Sequence, residues 1–214
     1  TAAGSLPDTP GTVLADISDT VALSVGGEDY VAVIAASEPG VSIVSVGSGG
    51  ALTLHGDIGA VDGLGVSGAS ASIAAEVMGH SYVIVAGSGS SSLSVVEVLP
   101  GGVPVLRDHV VDNLDTRFQS VEAIATAVVG GRTFVAAGGA DDGICLFDLA
   151  PGGRLFELAS LADSVSTTLA DVSALAIVGN GSTIEVLVAS LSETGLTRLS
   201  VDVSNLGSAL AATD

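Results

Sequence analysis

Residues 125–163 read ATAVVGGRTFVAAGGADDGICLFDLAPGGRLFELASLAD. An apolar run ends at Gly130-Gly131, and a second run, TFVAAGG, returns from it. A short polar loop with Asp141 and Asp142 follows, then the alternating run ICLFDL. Pro151-Gly152-Gly153 turns the chain again into LFELASLA. Glycine pairs supply the positive φ that tight turns need. Alternation of apolar and polar residues marks strands with one face in a core. Four short strands joined by tight turns make an antiparallel meander.

The pattern recurs along the chain. GGEDYVAVIAAS (26–37), MGHSYVIVAGS (78–88), GGRTFVAAGG (130–139) and GNGSTIEVLVAS (179–190) each place a strand-like run behind a glycine turn. Their anchors Tyr30, Tyr82, Phe134 and Ile184 are 52, 52 and 50 residues apart. A second set, Val41, Leu93, Ile144 and Leu196, repeats at 52, 51 and 52. Two sets of anchors sharing one period establish a repeat, and a four-stranded unit of this length is the signature of a β-propeller blade. The fold expected is all-β and propeller-like, with four blades near 11–65, 66–117, 118–168 and 169–214 in a single domain. Four blades close a small propeller or form part of a larger ring. The last copy lacks a clear outer strand, and GTVLADI (11–17) is the expected latch that completes it.

Composition narrows the partners. Of the 214 residues, 48% are hydrophobic and only 3% aromatic, so the core is built from Val, Ala, Leu and Ile. The formal charge is -19, with five basic residues, all arginine. Such a chain cannot present the broad basic face that nucleic acid or an anionic membrane requires. The acidic surface serves solubility. Arg117 and Arg132 are expected to pair with neighbouring carboxylates. The lone Cys145 rules out an intrachain disulfide and reads as a buried thiol. No run reaches the roughly 20 apolar residues of a membrane-spanning helix.

Few residues suggest chemistry. Asp141 and Asp142 are the candidate calcium ligands, because paired carboxylates on a glycine-rich loop suit a hard cation. The loop offers few of the further oxygens such an ion needs, so solvated turn residues are the competing reading. Gly63, Gly65 and Gly68 match G-x-G-x-x-G, yet they fall where the repeat demands an inner strand, against a dinucleotide site. His55, His80 and His109 lack zinc-ligand spacing. No G-x-S-x-G elbow is present, and Asn180-Gly181-Ser182 reads as a turn. No catalytic residue or cofactor is assigned.

The 125–163 segment resembles the propeller-like repeat regions of large secreted calcium-binding proteins of the RTX (hemolysin-type) class. That resemblance implies bacterial type I export, an extracellular or cell-surface location, and calcium-binding nonapeptides elsewhere in a parent chain; none occurs here. A weaker similarity is to lactonase-type propellers, whose catalytic set has no match in these residues. The function expected is therefore a non-enzymatic extracellular binding or scaffold domain, engaged in adhesion or protein–protein contact within an oligomer or a larger parent chain. The alternatives are a structural subunit of a larger assembly and a lactonase-type propeller hydrolase.

Overall fold

The computed structural model describes residues 4–9 and 12–205. Its fifteen strands fall into four antiparallel meanders. The first blade is β1 (Ile17–Val25), β2 (Glu28–Ala35), β3 (Gly40–Val46) and β4 (Leu52–Gly59). The second is β5 (Ala69–Val77), β6 (His80–Gly87), β7 (Ser92–Leu99) and β8 (Val103–Val111). The third is β9 (Ala123–Val129), β10 (Arg132–Gly138), β11 (Gly143–Ala150) and β12 (Arg154–Ala162). The fourth has three strands among the described residues, β13 (Val172–Asn180), β14 (Thr183–Ser190) and β15 (Thr197–Asp202).

Each sheet is built from alternation. In the second blade Tyr82, Ile84 and Ala86 face the third, while Val83 and Val85 face the first. Both faces are apolar, so each inner blade is buried on both sides and its middle strands read as nearly continuous hydrophobic runs. Burying one such Val or Ile contributes about 1.5–3 kcal/mol. Three hydrophobic cores result, between blades one and two, two and three, and three and four. A closed ring of four would hold a fourth core between blades four and one. The described residues form none, so the blades make an open arc.

The first strand of each blade packs on the first strand of the next, β1 on β5, β5 on β9 and β9 on β13. These are the inner strands. Their starting ends lie beside the β2–β3 type loops and the connectors between blades, here called the connector end. The tight turns lie at the opposite, hairpin end.

Three sequence expectations change. Residues 12–16 do not latch the fourth blade: Leu14 is buried, and the Val13 carbonyl accepts the Ser42 hydroxyl at 3.1 Å, both against the first blade; Gly11 lies outside the described residues. Ile184 is one residue out of register with the aromatic anchors. Tyr30, Tyr82 and Phe134 each sit two residues beyond the pair closing the turn, and in the fourth blade that position is Glu185. Leu196 lies outside β15 and is 64% exposed.

Candidate active site at the connector end

The inner strands begin on a repeated backbone device. Asp16, Gly68, Ser120 and Asp171 precede them with φ of 58°, 56°, 45° and 57°. This left-handed conformation costs a non-glycine residue about 1–2 kcal/mol. In blades one, two and four its carbonyl is taken by the facing loop: Ala36 N–H donates to Asp16, Ser88 N–H to Gly68 and Leu191 N–H to Asp171, at 3.0, 2.9 and 2.9 Å. The same three inner strands then carry a register shift at Ser18, Ser70 and Ser173. Such bulges aim a side chain away from the ladder. The Ser18 and Ser173 hydroxyls each turn back to a carbonyl of their own blade, at 3.4 Å. The matching position in the third blade is Glu122, 52 residues after Ser70.

Glu122 is exposed, and its carboxylate makes no hydrogen bond to a described residue. Several other carboxylates at this end are held by donors, though Glu38 in the β2–β3 loop and Asp115 in the connector after β8 are not. Asp16 accepts the Ser37 hydroxyl at 2.8 Å, and Asp171 accepts that of Ser192 at 3.2 Å. Asp19 Oδ2 accepts both the backbone N–H and the hydroxyl of Ser72, at 2.7 and 2.9 Å. Its Oδ1 accepts the N–H of Thr20 at 2.8 Å. Ser70 donates in the other direction, to the Val121 carbonyl at 2.6 Å. The head of β5 is thus fastened to Asp19 on one side and to the residue before Glu122 on the other. Asp19 and Glu122 lie on either side of β5, one held by donors and the other without a hydrogen bond to a described residue.

The calcium candidates are placed differently. Asp141 faces Arg117 with Nη1 to Oδ1 at 3.5 Å. Asp142 Oδ1 accepts the N–H of Asp171 at 3.2 Å, and the Asp142 carbonyl accepts that of Asp163 at 2.8 Å. Asp142 therefore ties the third blade to the start of the fourth. No group of three or more His, Cys, Asp or Glu side chains suited to a metal ion forms among the described residues. Gly63, Gly65 and Gly68 lie in the connector before β5, which is a strand where a dinucleotide fold needs a helix. Cys145 is buried; its sulfur accepts the Arg117 N–H at 2.9 Å, and burial pushes the thiol up to about 11. Arg132 pairs with Asp148 at 2.8 Å.

At the hairpin end His80 Nδ1 and Arg107 Nε meet the buried Glu97 carboxylate at 2.6 and 2.5 Å. Burial pushes that carboxyl up, but the hydrogen bonds from His80 and Arg107 outweigh it and hold it below its usual range. The cluster lies where Tyr82 and Arg107 pack on Gly153 of the next blade, so it acts as an interblade joint.

The chain matches no protein-family profile, and no curated protein matches it. Solved structures share its fold. A protein from Lactobacillus plantarum superposes with a TM-score of 0.57 at 14% identity, over 87% of this chain and 55% of that one. A GH43 endo-arabinanase from Bacillus licheniformis superposes with a TM-score of 0.55 at 13% identity, over 90% of this chain and 72% of that one. The chain spans little more than half the length of the first. These likenesses support the propeller part of the expected resemblance. They also correct the expectation of a non-enzymatic extracellular scaffold and of a chain that is no enzyme, since a solved protein sharing the fold is a glycoside hydrolase. That expectation rested on a missing catalytic motif. Such a motif has no reason to be contiguous in a fold assembled from repeats about 52 residues apart.

Proposed function

We propose that this arc belongs to a propeller hydrolase whose chemistry lies at the connector end, with glycosidic bonds as the substrate class. The observation that carries the reading is the pair flanking β5: Asp19, held by Ser72, and the unpaired Glu122. Glycoside hydrolysis needs two carboxyl groups in different environments, one to donate a proton to the leaving oxygen and one to act as base or nucleophile. Glu122, exposed at the position where the other blades carry serine, takes the proton-donor role. Asp19 keeps a fixed orientation through three N–H and O–H donors and takes the second. The likeness to an arabinanase propeller supports this reading over lactone hydrolysis, the second activity to which propellers of this kind point.

The test is turnover of nitrophenyl glycosides, of soluble polysaccharides by reducing-end release, and of γ- and δ-lactones. Glycoside turnover is expected, falling by about 10²-fold or more in Glu122→Gln, as loss of a general acid predicts, with an unchanged melting temperature. Turnover of lactones alone transfers the site to the lactonase alternative. No turnover of either class overturns the proposal.

A further inference from the structure

Consecutive residues at the head of β9 are fixed through their backbone. The Ala140 N–H donates to the Gln119 carbonyl at 2.8 Å, and the Ser120 N–H donates to Ser91 Oγ at 3.0 Å. The Val121 carbonyl accepts the Ser70 hydroxyl at 2.6 Å, and the Glu122 N–H donates to the Gly138 carbonyl at 3.1 Å. The peptide that joins Val121 to Glu122 is thus held at both its C=O and its N–H. Ser70 and Ser91 belong to the second blade, so half of this grip comes from outside the third.

Part of it is shared with the fourth blade. Ser91 and Asp142 hold the same place in their loops, both left-handed, with φ of 48° and 45°. Each carbonyl accepts the N–H of the aspartate that opens the next connector, Asp112 or Asp163, at 2.8 Å. Each side chain accepts the N–H of the left-handed residue before the next inner strand, Ser120 at 3.0 Å and Asp171 at 3.2 Å. This clasp sets the heads of β9 and β13 alike.

Two features belong to the Glu122 segment alone. The loop before β11 is one residue shorter than the loop before β7, since Phe134 and Ile144 are 10 apart and Tyr82 and Leu93 are 11. The facing N–H therefore reaches Gln119, one residue ahead of the left-handed carbonyl it takes in the other blades. A Cβ on Gly139 would fall against the Gln119 and Ser120 carbonyls, so a side chain there would force the loop away. The second feature is Ser70. Its hydroxyl lies 3.3 Å from the Ala86 carbonyl of its own blade, but a serine has one proton to give, and the bond to Val121 is much the shorter. Ser18 and Ser173, at the same position, stay within their own blades. Of the four equivalent positions, the one with a carboxyl group is the one whose peptide a neighbouring hydroxyl holds.

We propose that Ser70 is a positioning residue for Glu122. It keeps the Glu122 Cα stationary, so that the carboxyl group swings from a fixed point opposite Asp19. Ser72, two residues further along β5, fixes Asp19 at 2.7 and 2.9 Å. In a regular strand the two serines would share a face; the register shift at Ser70 turns it to the other side. One strand of the second blade therefore sets both carboxyl groups. The inference rests on the hydrolase reading and adds to it the element that spaces the pair.

Ser70→Ala and Ser70→Thr test it on a soluble polysaccharide that the wild-type chain cleaves, each alone and beside Glu122→Gln, below the melting temperature of every variant. Ser70→Ala is expected to lower kcat about tenfold with KM unchanged, since a displaced proton donor weakens the transition state and not substrate binding. The loss is expected to be smaller on nitrophenyl glycosides, whose leaving oxygen needs less help from an acid. Ser70→Thr keeps the hydroxyl and is expected to retain the wild-type kcat. Ser70→Cys, of similar size but a weaker donor, is expected to fall between and serves if the alanine variant does not fold. With Gln at 122 there is no proton to place, so Ser70→Ala is expected to cost nothing more. A wild-type kcat in Ser70→Ala, a Thr variant as slow as the Ala variant, an equal loss on both leaving groups, or the same loss beside Glu122→Gln overturns the proposal and leaves the hydrolase reading standing. No wild-type turnover, or Glu122→Gln at the wild-type rate, overturns the hydrolase reading and this proposal with it.

Discussion

Val46 and Val98 hold the same position in successive blades, yet one is 59% exposed and the other 1%. The difference lies in what stands in front of them, since Val98 belongs to the core between blades one and two. A charge at the buried position loses its hydration without gaining a partner. Val98→Glu is expected to lower stability by about 4 kcal/mol or more, the range of mutations that bury an unpaired charge. Val46→Glu is expected to stay within about 0.5 kcal/mol. Urea unfolding checks the pair. Equal losses would show that Val46 is also covered in the single chain.

The repeat was legible because glycine turns and valine-rich runs recur at one period, and the hairpins follow from them. Register in the fourth blade was not. Ile184 is the more hydrophobic choice for the anchor, but the turn at Gly181-Ser182 puts Glu185 there. The left-handed residues before the inner strands also escaped notice, since only Gly68 among the four is a glycine. Aligning residues 8–14 with 112–118 and 163–169 exposes the Asp-x-x-x-Thr connector, a signal present in the chain but hidden by an apparently irregular start. The candidate pair Asp19 and Glu122 has no local signature, because the two residues are 103 positions apart and are set on either side of β5 only by the packing of the inner strands.

The connector predicts an acid-sensitive contribution. Asp163 Oδ1 accepts the Leu169 N–H at 2.9 Å and the Thr167 hydroxyl at 2.8 Å, and these, the backbone bond first, hold its carboxyl below the usual range. A carboxyl depressed in the folded state binds protons less readily than in the unfolded chain. Its stabilisation is therefore present above the unfolded value, about 3.9 for Asp, and is lost as pH falls through the lower folded value. Asp163→Asn is expected to melt below wild type at pH 7, with the gap narrowing toward pH 2. A gap independent of pH would assign the effect to shape instead of charge.

Glu97 predicts a strong asymmetry between single and double substitution. Its carboxylate is 4% exposed and depends on Arg107 and His80 for its charge. Arg107→Met leaves that charge with His80 alone and is expected to cost about 3–5 kcal/mol, the penalty for orphaning a buried partner. Adding Glu97→Leu removes the charge as well, and most of the loss is expected to return. Denaturant unfolding of the three variants at pH 7 checks this. A double variant no more stable than Arg107→Met would mean that the joint is held by packing of the arginine stem on Gly153.

Adjacent glycines in one turn separate backbone strain from crowding. Gly101 and Gly102 join β7 to β8 with φ of 85° and 76°, so a side chain at either is strained. A Cβ on Gly101 meets nothing within 4 Å, whereas one on Gly102 would lie 2.6 Å from the His55 Cβ and 2.9 Å from the Tyr30 ring. Those two side chains belong to the first blade, with their rings packed edge to face at 5.1 Å. Gly101→Ala is therefore expected to cost only the left-handed penalty, about 1–2 kcal/mol. Gly102→Ala adds overpacking of about 1–3 kcal/mol, because it pushes the turn off its neighbouring blade. The two are compared by melting temperature. The extra loss at Gly102 is expected to shrink when His55→Gly is introduced beside it, since the nearest obstacle is the His55 Cβ itself. If Gly101→Ala and Gly102→Ala melt together, the turn yields freely, and blade contact at the hairpin end contributes nothing to holding the arc.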